Sequence, residues 1–535
     1  MIIIALGSDA LFFAFSRYNK APMEHPVLDI ERIRDHDVTL FSDDPAVQAS
    51  IAQRLGWTTL PEQARALLPL LDELAEMAGE RDIEEVVLIG MGGSSLATYV
   101  FEEEYADRAQ RAMYVLDTTC PEEVAMLAER LDYRRTLFVV ASKSGTTLET
   151  VTLEGLFWNL LAVELPDEAE RASHFIALTD PGTPLAARAA ARGYRLITSP
   201  PDVGGRFSAF SVFGLVTAAL AGMDLRDLIE EACNAQQACA SPTPDNPALL
   251  LATELWRQYQ AGNNKLVLPN TRFSLWIEQL VAESLSKQGR GIIPLVGATA
   301  CCCTEQLIAC PQSPHATTPS LLATVGGLQS CVKHPNGRAP IPVSVPQAMV
   351  IWMWATALLG AWMGVNPFDE PDIATAKASV LHALEADDLQ RLDDEEYCCS
   401  PSLASVLSAA PAEDYISILA YVDKDQFVRL RDEFLPRIAG CTNLACCLSK
   451  GPRYLHSIRQ LHQGGPRTGL YLVIDNETPD AAYFEVSLVG QTLETLFDAQ
   501  RIGDVQALRA IGRPVIMAHL DEVLDGRFTN GIEAP

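Results

Sequence analysis

The sequence predicts an α/β fold in which parallel sheets are flanked by helices. Strand-like and helix-like patterns alternate between Ile83 and Ser199. Apolar strands are expected at 86–90, 113–117, 136–141, 175–179 and 194–198. Helical periodicity lies between them at 94–105, 121–132, 147–163 and 184–192. This alternation is typical of a doubly wound parallel sheet.

The remainder of the chain predicts further helices and a second α/β sheet. A helical pattern at 44–80 follows a lead-in, residues 1–40, that has no clear pattern. Helices are expected at 210–240, 246–262, 274–287 and 371–395, and strands at 265–268, 292–296, 469–474 and 514–520. The segment Ser241-Pro242-Thr243-Pro244 is typical of a hinge between domains.

Length and composition restrict the class of partner. The 535 residues are enough for several domains with sizeable cores. Forty basic against 69 acidic residues give a net charge of −29, which argues against nucleic acid or an anionic membrane surface as a partner. A small anionic substrate remains compatible with this charge if basic residues are concentrated at its site.

The thirteen cysteines do not form a recognisable metal or disulfide pattern. No two of them have the CxxC spacing of a structural zinc site. We therefore expect no metal, and reduced thiols such as those of a cytoplasmic protein.

One apolar stretch has two interpretations. Residues 348–365 are 18 positions without a charge, which is the lower limit for a membrane-spanning helix. Neither a basic flank nor a second span accompanies it. A helix buried on all sides in a large core is therefore the favoured interpretation.

A glycine-rich turn follows the first expected strand. Its sequence is Gly90-Met91-Gly92-Gly93-Ser94-Ser95, and a helix is expected from Ser94. Glycines let backbone N–H groups approach an anion, and a helix N-terminus adds further N–H groups and a positive dipole. Alone, such a turn is equally typical of an ordinary strand-to-helix connection.

A hydroxyl-rich loop follows the expected strand at 136–141. Its sequence is Ser142-Lys143-Ser144-Gly145-Thr146-Thr147, and a helix is expected from about Leu148. Hydroxyls, a lysine and the N–H groups of a helix start suit a phosphate monoester. Because both loops stand at the carboxyl ends of strands, together they predict a phosphate-binding site.

Two further motifs supply a cation and a carboxylate. In Gly204-Gly205-Arg206-Phe207-Ser208, paired glycines allow close approach to a ligand that the arginine reaches, although an arginine in an ordinary loop fits equally. Gln279 and Glu283 are four residues apart and share one face of a helix. A carboxylate in an apolar surrounding has a raised pKa and suits proton transfer. The helical pattern alone favours the alternative of an exposed glutamate.

Two histidines occur near each other in the segment 451–465. His456 and His462 are six residues apart, which is poor spacing for two metal ligands on one helix face. Either an acid/base histidine or a structural one fits this spacing.

In order along the chain, these motifs resemble the glucose-6-phosphate isomerase family, whose members are built from two sugar isomerase (SIS) domains. The matching segments are Gly90-x-Gly-Gly-Ser94, Ser142-Lys143-Ser144-x-Thr146-Thr147-x-Glu149-Thr150, Gly204-Gly205-Arg206-Phe207-Ser208 and Gln279-Leu280-x-x-Glu283-Ser284. The strings GRFSAFSVFGL, WIEQLVAES and LHSIRQLHQGGP are most similar to the isomerase part of bifunctional transaldolase/phosphoglucose isomerases. Nothing in the sequence resembles a transaldolase barrel.

The resemblance implies a substrate site that needs no cofactor. The residues expected to bind the sugar phosphate are Gly92, Gly93, Ser94, Ser142, Lys143, Ser144, Thr146, Thr147 and Gly205. Glu283 would move a proton between C1 and C2 through a cis-enediol(ate). Arg206 would stabilise the charge of that intermediate, and Gln279 would orient the substrate.

The resemblance also implies a histidine and a lysine for ring opening. His456 and Lys377 match them, although His456 follows Lys377 here whereas the family's histidine comes first. In the family the histidine comes from the partner subunit, so a homodimer is implied. Ser144 and Gly145 stand where many members have threonine and phenylalanine.

We therefore expect two doubly wound, flavodoxin-like SIS domains, with parallel sheets, at 61–241 and 245–535. Residues 1–60 would form an N-terminal lead-in and helix, and the second domain would carry a C-terminal extension. The expected function is that of a cytoplasmic isomerase interconverting glucose 6-phosphate and fructose 6-phosphate. The alternatives are a dual phosphoglucose/phosphomannose isomerase, a non-catalytic SIS protein that binds a phosphosugar, and a decayed half of a fusion protein.

Overall fold

The computed structural model describes residues 26–298, 343–385, 389–411, 414–442, 444–476, 485–486, 491–526 and 528. Most of the lead-in, residues 1–25, and the cysteine-rich stretch 299–310 lie outside the described residues. The expected domain boundaries stay predictions.

Five parallel strands form the first sheet. They are β1 (Glu85–Gly90), β2 (Ala112–Leu116), β3 (Thr136–Ala141), β4 (Phe175–Thr179) and β5 (Arg195–Thr198). Their order in the sheet is β2-β1-β3-β4-β5. All six residues of β3 are buried, as is typical of a central parallel strand. The strand positions expected from the sequence are confirmed to within one residue at each end.

Helices cover both faces of this sheet. Val86 and Leu88 of β1 lie in one hydrophobic core, whereas Val87 and Ile89 lie in another, because successive side chains of a strand point to opposite faces. The helices of this half are α1 (Pro26–Arg34), α2 (Pro45–Ala52), α3 (Leu60–Glu80), α4 (Leu96–Glu104), α5 (Pro121–Arg130), α6 (Leu148–Glu164), α7 (Glu168–Ala172), α8 (Pro184–Arg192), α9 (Val212–Leu220), α10 (Arg226–Cys239) and α11 (Pro247–Gln260).

The second half of the chain contains another parallel sheet, of four strands. The strands of this half are β6 (Lys265–Leu268), β7 (Ile293–Val296), β8 (Tyr415–Tyr421), β9 (Ala445–Lys450), β10 (Gly469–Asp475), β11 (Glu485–Val486), β12 (Gln491–Thr492) and β13 (Val515–His519). The four-stranded sheet has the order β13-β10-β8-β9, and its core also divides between two faces. The expected α/β class with helix-flanked parallel sheets is thus confirmed.

Ten further α-helices accompany these strands in the described residues. They are α12 (Arg272–Leu285), α13 (Val345–Met363), α14 (Ile373–Leu384), α15 (Leu389–Cys398), α16 (Leu403–Ala409), α17 (Lys424–Arg429), α18 (Leu435–Gly440), α19 (Arg459–Gly464), α20 (Leu493–Ala510) and α21 (Leu520–Leu524). A short π-helical turn, Leu430–Phe434, joins α17 to α18.

Helix α13 is the apolar stretch with two interpretations. Within the described residues it is the one helix that is long and apolar enough to cross a membrane, and 78% of its most apolar window is buried inside the protein. It packs against α10, α11 and α12. The Nε1–H group of Trp354 donates to Gln236 Oε1 of α10 at 2.9 Å. This is the environment of a core helix.

The structure corrects several expected elements. The lead-in contains α1, and the pattern at 44–80 divides into α2 and α3. The pattern at 210–240 divides into α9 and α10, because Gly222 turns the chain between them at a φ of +83°. The helix after the glycine-rich turn begins at Leu96 rather than Ser94. Strands β8 and β9 were not expected from the sequence.

Candidate active site

The loops after β1 and β3 are neighbours in the first sheet. The strand order reverses between β1 and β3, and in open α/β sheets this reversal leaves a crevice at the carboxyl ends of the strands. Gly90 at the end of β1 pairs with Ala141 at the end of β3. The glycine-rich turn and the hydroxyl-rich loop therefore border the same crevice.

Two glycines of the turn make close backbone contacts. A Cβ on Gly93 would overlap the carbonyl group of Gly205, and a Cβ on Gly92 would overlap the backbone oxygen of His456. Gly92 also has a φ of +54°, which disfavours any other residue. The turn thus brings the Gly205-Arg206 motif and the His456 motif together.

Arg206 and Glu283 form a buried ion pair beside this turn. Arg206 Nε lies 3.1 Å from Glu283 Oε2, and the two side chains are 3% and 6% exposed. Gln279, on the same face of α12, donates from Nε2 to Glu283 Oε2 at 3.2 Å and to the backbone oxygen of His456 at 2.9 Å. The alternative of an exposed helical glutamate is therefore wrong.

The surroundings of Glu283 raise its pKa to about 8. Burial is the main cause, and the nearby Glu370 carboxylate adds to it, whereas Arg206, Gln279 and Lys287 act in the opposite direction. A carboxylate whose pKa lies close to the working pH is suited to both accepting and returning a proton.

The remaining nitrogens of Arg206 contact the segment after α13. Nη1 donates to the backbone oxygens of Pro367 and Asp369 at 3.2 and 3.3 Å, and Nη2 donates to the Asp369 oxygen at 3.3 Å. Nη2 also pairs with the carboxylate of Glu370. The guanidinium is therefore fixed from two sides of the site.

An aromatic cluster holds this segment in place. The ring of Phe207 lies 5.0 Å from Trp57 and 5.4 Å from Phe368, measured between centroids. Because Phe207 follows Arg206 and Phe368 precedes Asp369, packing in this cluster sets the position of the arginine relative to its backbone acceptors.

Lys287 supplies a second buried cation near Glu283. Its Nζ lies 2.9 Å from Asp369 Oδ1 and also donates to the backbone oxygens of Ser284, at 3.2 Å, and Asn366. Burial and the charge of Arg206 lower the pKa of Lys287 to about 8.

His456 reaches the first half of the chain through Glu149. The distance between His456 Nε2 and Glu149 Oε1 is 2.7 Å, and Gln500 donates to the same oxygen at 2.5 Å. Thr119 in turn donates to Gln500 Oε1 at 2.6 Å. Burial opposes ionisation of Glu149, but the charge and hydrogen bond of His456 outweigh it and lower the pKa of Glu149 to about 2. An ionised Glu149 therefore orients the imidazole.

The hydroxyl-rich loop is ordered by its own side chains. Ser142 Oγ lies 2.9 Å from Thr147 Oγ1 and accepts from the Gly145 N–H at 3.1 Å. Ser144 and Thr146 form a second hydroxyl pair at 3.0 Å, on the exposed side. Thr147 precedes α6 without a side-chain capping bond, so its hydroxyl does not occupy the first N–H groups of that helix.

Lys143 has a carboxylate partner in the loop region. Its Nζ donates to the two carboxylate oxygens of Asp180 at 2.7 and 2.6 Å and to the backbone oxygen of Pro200 at 3.1 Å. Burial lowers its pKa, against the opposing effect of Asp180. Its assignment to the phosphate site stays a prediction.

The Lys377 side chain lies outside the described residues, although its backbone is part of α14. The start of α14 adjoins the His456 segment, since Gln460 donates from Nε2 to Asp372 Oδ2 at 2.6 Å and to the Ser286 oxygen at 2.9 Å. The role of Lys377 in ring opening stays a prediction.

Four residues at the site received no role from sequence reasoning: Glu149, Lys287, Glu370 and Gln500. Glu149 had a usable signal, because a carboxylate in the first turn after a phosphate loop repels the expected anion unless a cation pairs with it. Among the described residues, no group of three or more His, Cys, Asp or Glu side chains could hold a metal ion.

Comparison with known proteins finds sequence similarity over the first half of the chain. Residues 74–291 match the family described as phosphoglucose isomerase. A glucose-6-phosphate isomerase of Thermus thermophilus is 29% identical, with 60% of this chain and 88% of the relative covered. A probable glucose-6-phosphate isomerase of Haloarcula marismortui is 33% identical, with 41% and 51% covered. Over the matched segment the chain is similar to phosphoglucose isomerases.

A solved structure is similar to this chain in its fold. A hypothetical protein of Thermus thermophilus superposes with a TM-score of 0.53 at 24% identity, covering 71% of this chain and 98% of the other. The likeness shows a shared fold.

The family match divides the predicted site residues into two groups. The glycine-rich turn, the hydroxyl-rich loop, Arg206 and Glu283 lie inside the matched segment, whereas Lys377 and His456 follow it. His456 contacts Gln279 and Glu149 of its own chain. A homodimer stays a prediction.

Proposed function

We propose that this protein interconverts D-glucose 6-phosphate and D-fructose 6-phosphate through a cis-enediol(ate). The observation that carries the proposal is the buried pair of Glu283 and Arg206 beside the glycine-rich turn. In an aldose–ketose isomerisation, a proton leaves carbon while negative charge develops on the adjacent carbonyl oxygen. A carboxylate base next to a fixed cation serves both needs.

Proton transfer is the role proposed for Glu283. Its ionised carboxylate removes the C2 proton of the open-chain aldose, and the electron pair forms the C1–C2 double bond as the C1 carbonyl oxygen becomes negative. Arg206 stabilises that oxygen. The proton of the C2 hydroxyl then passes to the negative C1 oxygen as the C2 carbonyl forms, and Glu283 returns its proton to C1, which gives the ketose.

Phosphate binding is assigned to the two loops at the β1/β3 crevice. Hydroxyl groups, helix N-terminal N–H groups and a lysine ammonium group can all donate hydrogen bonds to a phosphate dianion. The residues proposed for this role are Gly92, Gly93, Ser94, Ser142, Lys143, Ser144, Thr146, Thr147 and Gly205.

Ring opening is assigned to His456 with Lys377. The contact with ionised Glu149 holds the imidazole of His456, whose backbone borders the glycine-rich turn. An acid/base pair at this position protonates the ring oxygen and accepts the anomeric hydroxyl proton.

The test is conversion of fructose 6-phosphate by the purified protein in EDTA. Wild type forms glucose 6-phosphate, and Glu283→Gln loses at least about 99% of the rate, because general-base catalysis contributes a factor of about 10² to 10⁴. Glu278→Gln is the matched control. Glu278 lies on the same helix, is equally buried and has a pKa raised by burial to about 8, but it faces Arg453 rather than Arg206. This variant retains activity.

Two results would identify one of the alternative functions instead. Wild type that binds fructose 6-phosphate without turnover would identify a phosphosugar-binding SIS protein. Conversion of mannose 6-phosphate at a rate close to that of glucose 6-phosphate would identify a dual isomerase. The relatives, which carry the name glucose-6-phosphate isomerase, favour neither alternative.

The proposal includes a cytoplasmic homodimer that uses no cofactor or metal. Light scattering of the full chain at several concentrations measures the assembly state directly.

A further inference from the structure

All three nitrogens of the Arg206 guanidinium have acceptors from the protein itself. Nε faces Glu283, Nη1 faces the backbone oxygens of Pro367 and Asp369, and Nη2 faces Asp369 and Glu370. A guanidinium has five N–H donors and no others. A substrate oxygen can bind Arg206 strongly only if one of these acceptors leaves.

The acceptors differ in how readily they can separate from Arg206. The oxygens of Pro367 and Asp369 are backbone atoms of the segment held by the aromatic cluster around Phe368. Glu283 lies within α12 and is 6% exposed. The Glu370 side chain is 43% exposed, so among these acceptors its carboxylate can separate from Arg206 without opening the core.

We infer that the Glu370 carboxylate occupies the position on Arg206 that the developing substrate oxyanion takes, and that it leaves this position when substrate binds. The inference deepens the proposed function and rests on it. In the empty site Glu370 neutralises a buried cation, which would otherwise be strongly destabilising. Glu370 is thus a positioning residue that acts through Arg206 and Glu283.

The departure of Glu370 from Arg206 also changes the pKa of Glu283. The charged and polar groups that face Glu283 are Arg206, Glu370, Lys287 and Gln279, and Glu370 is the one among them that raises its pKa. When Glu370 rotates away, the repulsion between the two carboxylates is lost. Glu283 therefore ionises more readily in the substrate complex than in the empty site, at the stage where a base is needed.

The test is the variant Glu370→Gln, which keeps the shape and removes the charge. The binding probe is 6-phosphogluconate, because it carries a phosphate and a negative C1 carboxylate where the oxyanion would develop. We expect the Kd of 6-phosphogluconate to fall about tenfold, since a competing carboxylate is removed. Because Glu370 has already left in the complex, KM falls about tenfold while kcat stays within about twofold.

The pH profile gives a second readout. The acid limb of kcat/KM, which reports the free enzyme, shifts to lower pH by about one unit in Glu370→Gln. The amide oxygen of the glutamine could still accept a hydrogen bond from Arg206. Glu370→Ala removes that acceptor as well, and we expect it to shift the acid limb in the same direction. Glu76→Gln on α3 is the matched control, because it makes the same charge change at an exposed glutamate of the first half.

Two results separate this inference from the proposed function. An active wild type whose Kd, KM and acid limb are unchanged in both Glu370 variants would overturn the inference and leave the function standing. A wild type that neither converts fructose 6-phosphate nor binds 6-phosphogluconate would overturn both.

Discussion

Gly92 and His456 touch through their backbones, with no room for a Cβ between the glycine and the histidine's carbonyl oxygen. This contact joins the turn after β1 to the 3₁₀ turn Arg453–His456 that follows β9. Because Gln279 donates to the same oxygen, one backbone position links the glycine-rich turn, the proposed base and the proposed ring-opening histidine.

The first prediction follows from this contact. Gly92→Ala forces His456 away from the turn and strains a backbone with a φ of +54°. We expect a loss of kcat/KM of at least about 100-fold, since a displacement of about 1 Å at an active site has an effect of this size. Steady-state kinetics with fructose 6-phosphate measure it.

Gly262→Ala is the control that separates backbone strain from steric overlap with a neighbouring residue. Gly262 has a φ of +88° and nothing within 4 Å of the position of a Cβ. This variant carries a similar backbone strain but keeps its activity. Equal activity losses in both variants would contradict the role of the Gly92–His456 contact.

The second prediction separates ring opening from isomerisation. Opening and closing of the ring interconverts the α and β anomers of the sugar phosphate, which NMR exchange spectroscopy measures independently of isomerisation. We expect His456→Ala to lose both anomer exchange and isomerisation, because it lacks the acid/base group. Glu283→Gln loses isomerisation and keeps anomer exchange.

Glu149→Gln tests whether the orientation of His456 matters for ring opening. Without the carboxylate that orients His456, anomer exchange falls further than it does in the control Glu278→Gln. Anomer exchange at the wild-type rate in His456→Ala would show that another group opens the ring.

The third prediction concerns pH. Glu283 has a pKa of about 8, and only its ionised form is a base, so kcat/KM rises with pH and levels off above about pH 8. A profile that is flat between about pH 6 and about pH 9 would contradict this assignment.

Stability changes with pH in the opposite direction. Because the folded state raises the pKa of Glu283 above that of an unfolded glutamate, about 4.3, the folded state binds the proton more tightly. The stabilising contribution of this proton is complete below the unfolded pKa and is lost as pH rises to about 8. Glutamine has no proton to lose in this range. The Tm of Glu283→Gln minus the Tm of wild type therefore increases as pH rises.

The fourth prediction concerns the stability of the first half of the chain, at an ion pair outside the candidate site. Glu154 of α6 is fully buried and pairs with Arg188 at 2.7 Å and Arg192 at 2.8 Å. Glu154→Ala removes the shared partner of both arginines, and we expect it to lower the free energy of unfolding by about 3 kcal/mol. The exposed pair of Glu73 and Arg195 is the control, since Glu73→Ala costs less than about 1 kcal/mol. Urea denaturation measures both.

The sequence predicts the first sheet well because its strands are continuous apolar runs bounded by turns. It predicts the second sheet less completely. Strand β9, Ala445–Lys450, mixes two cysteines with a serine and a lysine, so it lacks a strand pattern. Strand β8, Tyr415–Tyr421, is buried along its length, and its apolar run is a strand signal that the sequence does contain.

Local patterns predict site residues, but they do not predict their contacts. The motif spacing on α12 is sufficient to place Gln279 and Glu283 on one face. It cannot place Glu370 on Arg206 or His456 beside Glu149, because these contacts join segments that are far apart in the chain and depend on packing of both halves. The motif order, with His456 after Lys377, likewise gives no indication that His456 reaches the site within one chain.

The most direct measurement is isomerisation of fructose 6-phosphate in D₂O, followed by NMR until equilibrium. If Glu283 carries the proton between C1 and C2, the proton exchanges with solvent in part of the turnovers, so deuterium accumulates at C2 of glucose 6-phosphate and at C1 of fructose 6-phosphate. Glu283→Gln gives neither product nor label. Complete equilibration by the wild type without deuterium in either sugar would show direct hydrogen transfer between the carbons and would contradict the proposed role of Glu283.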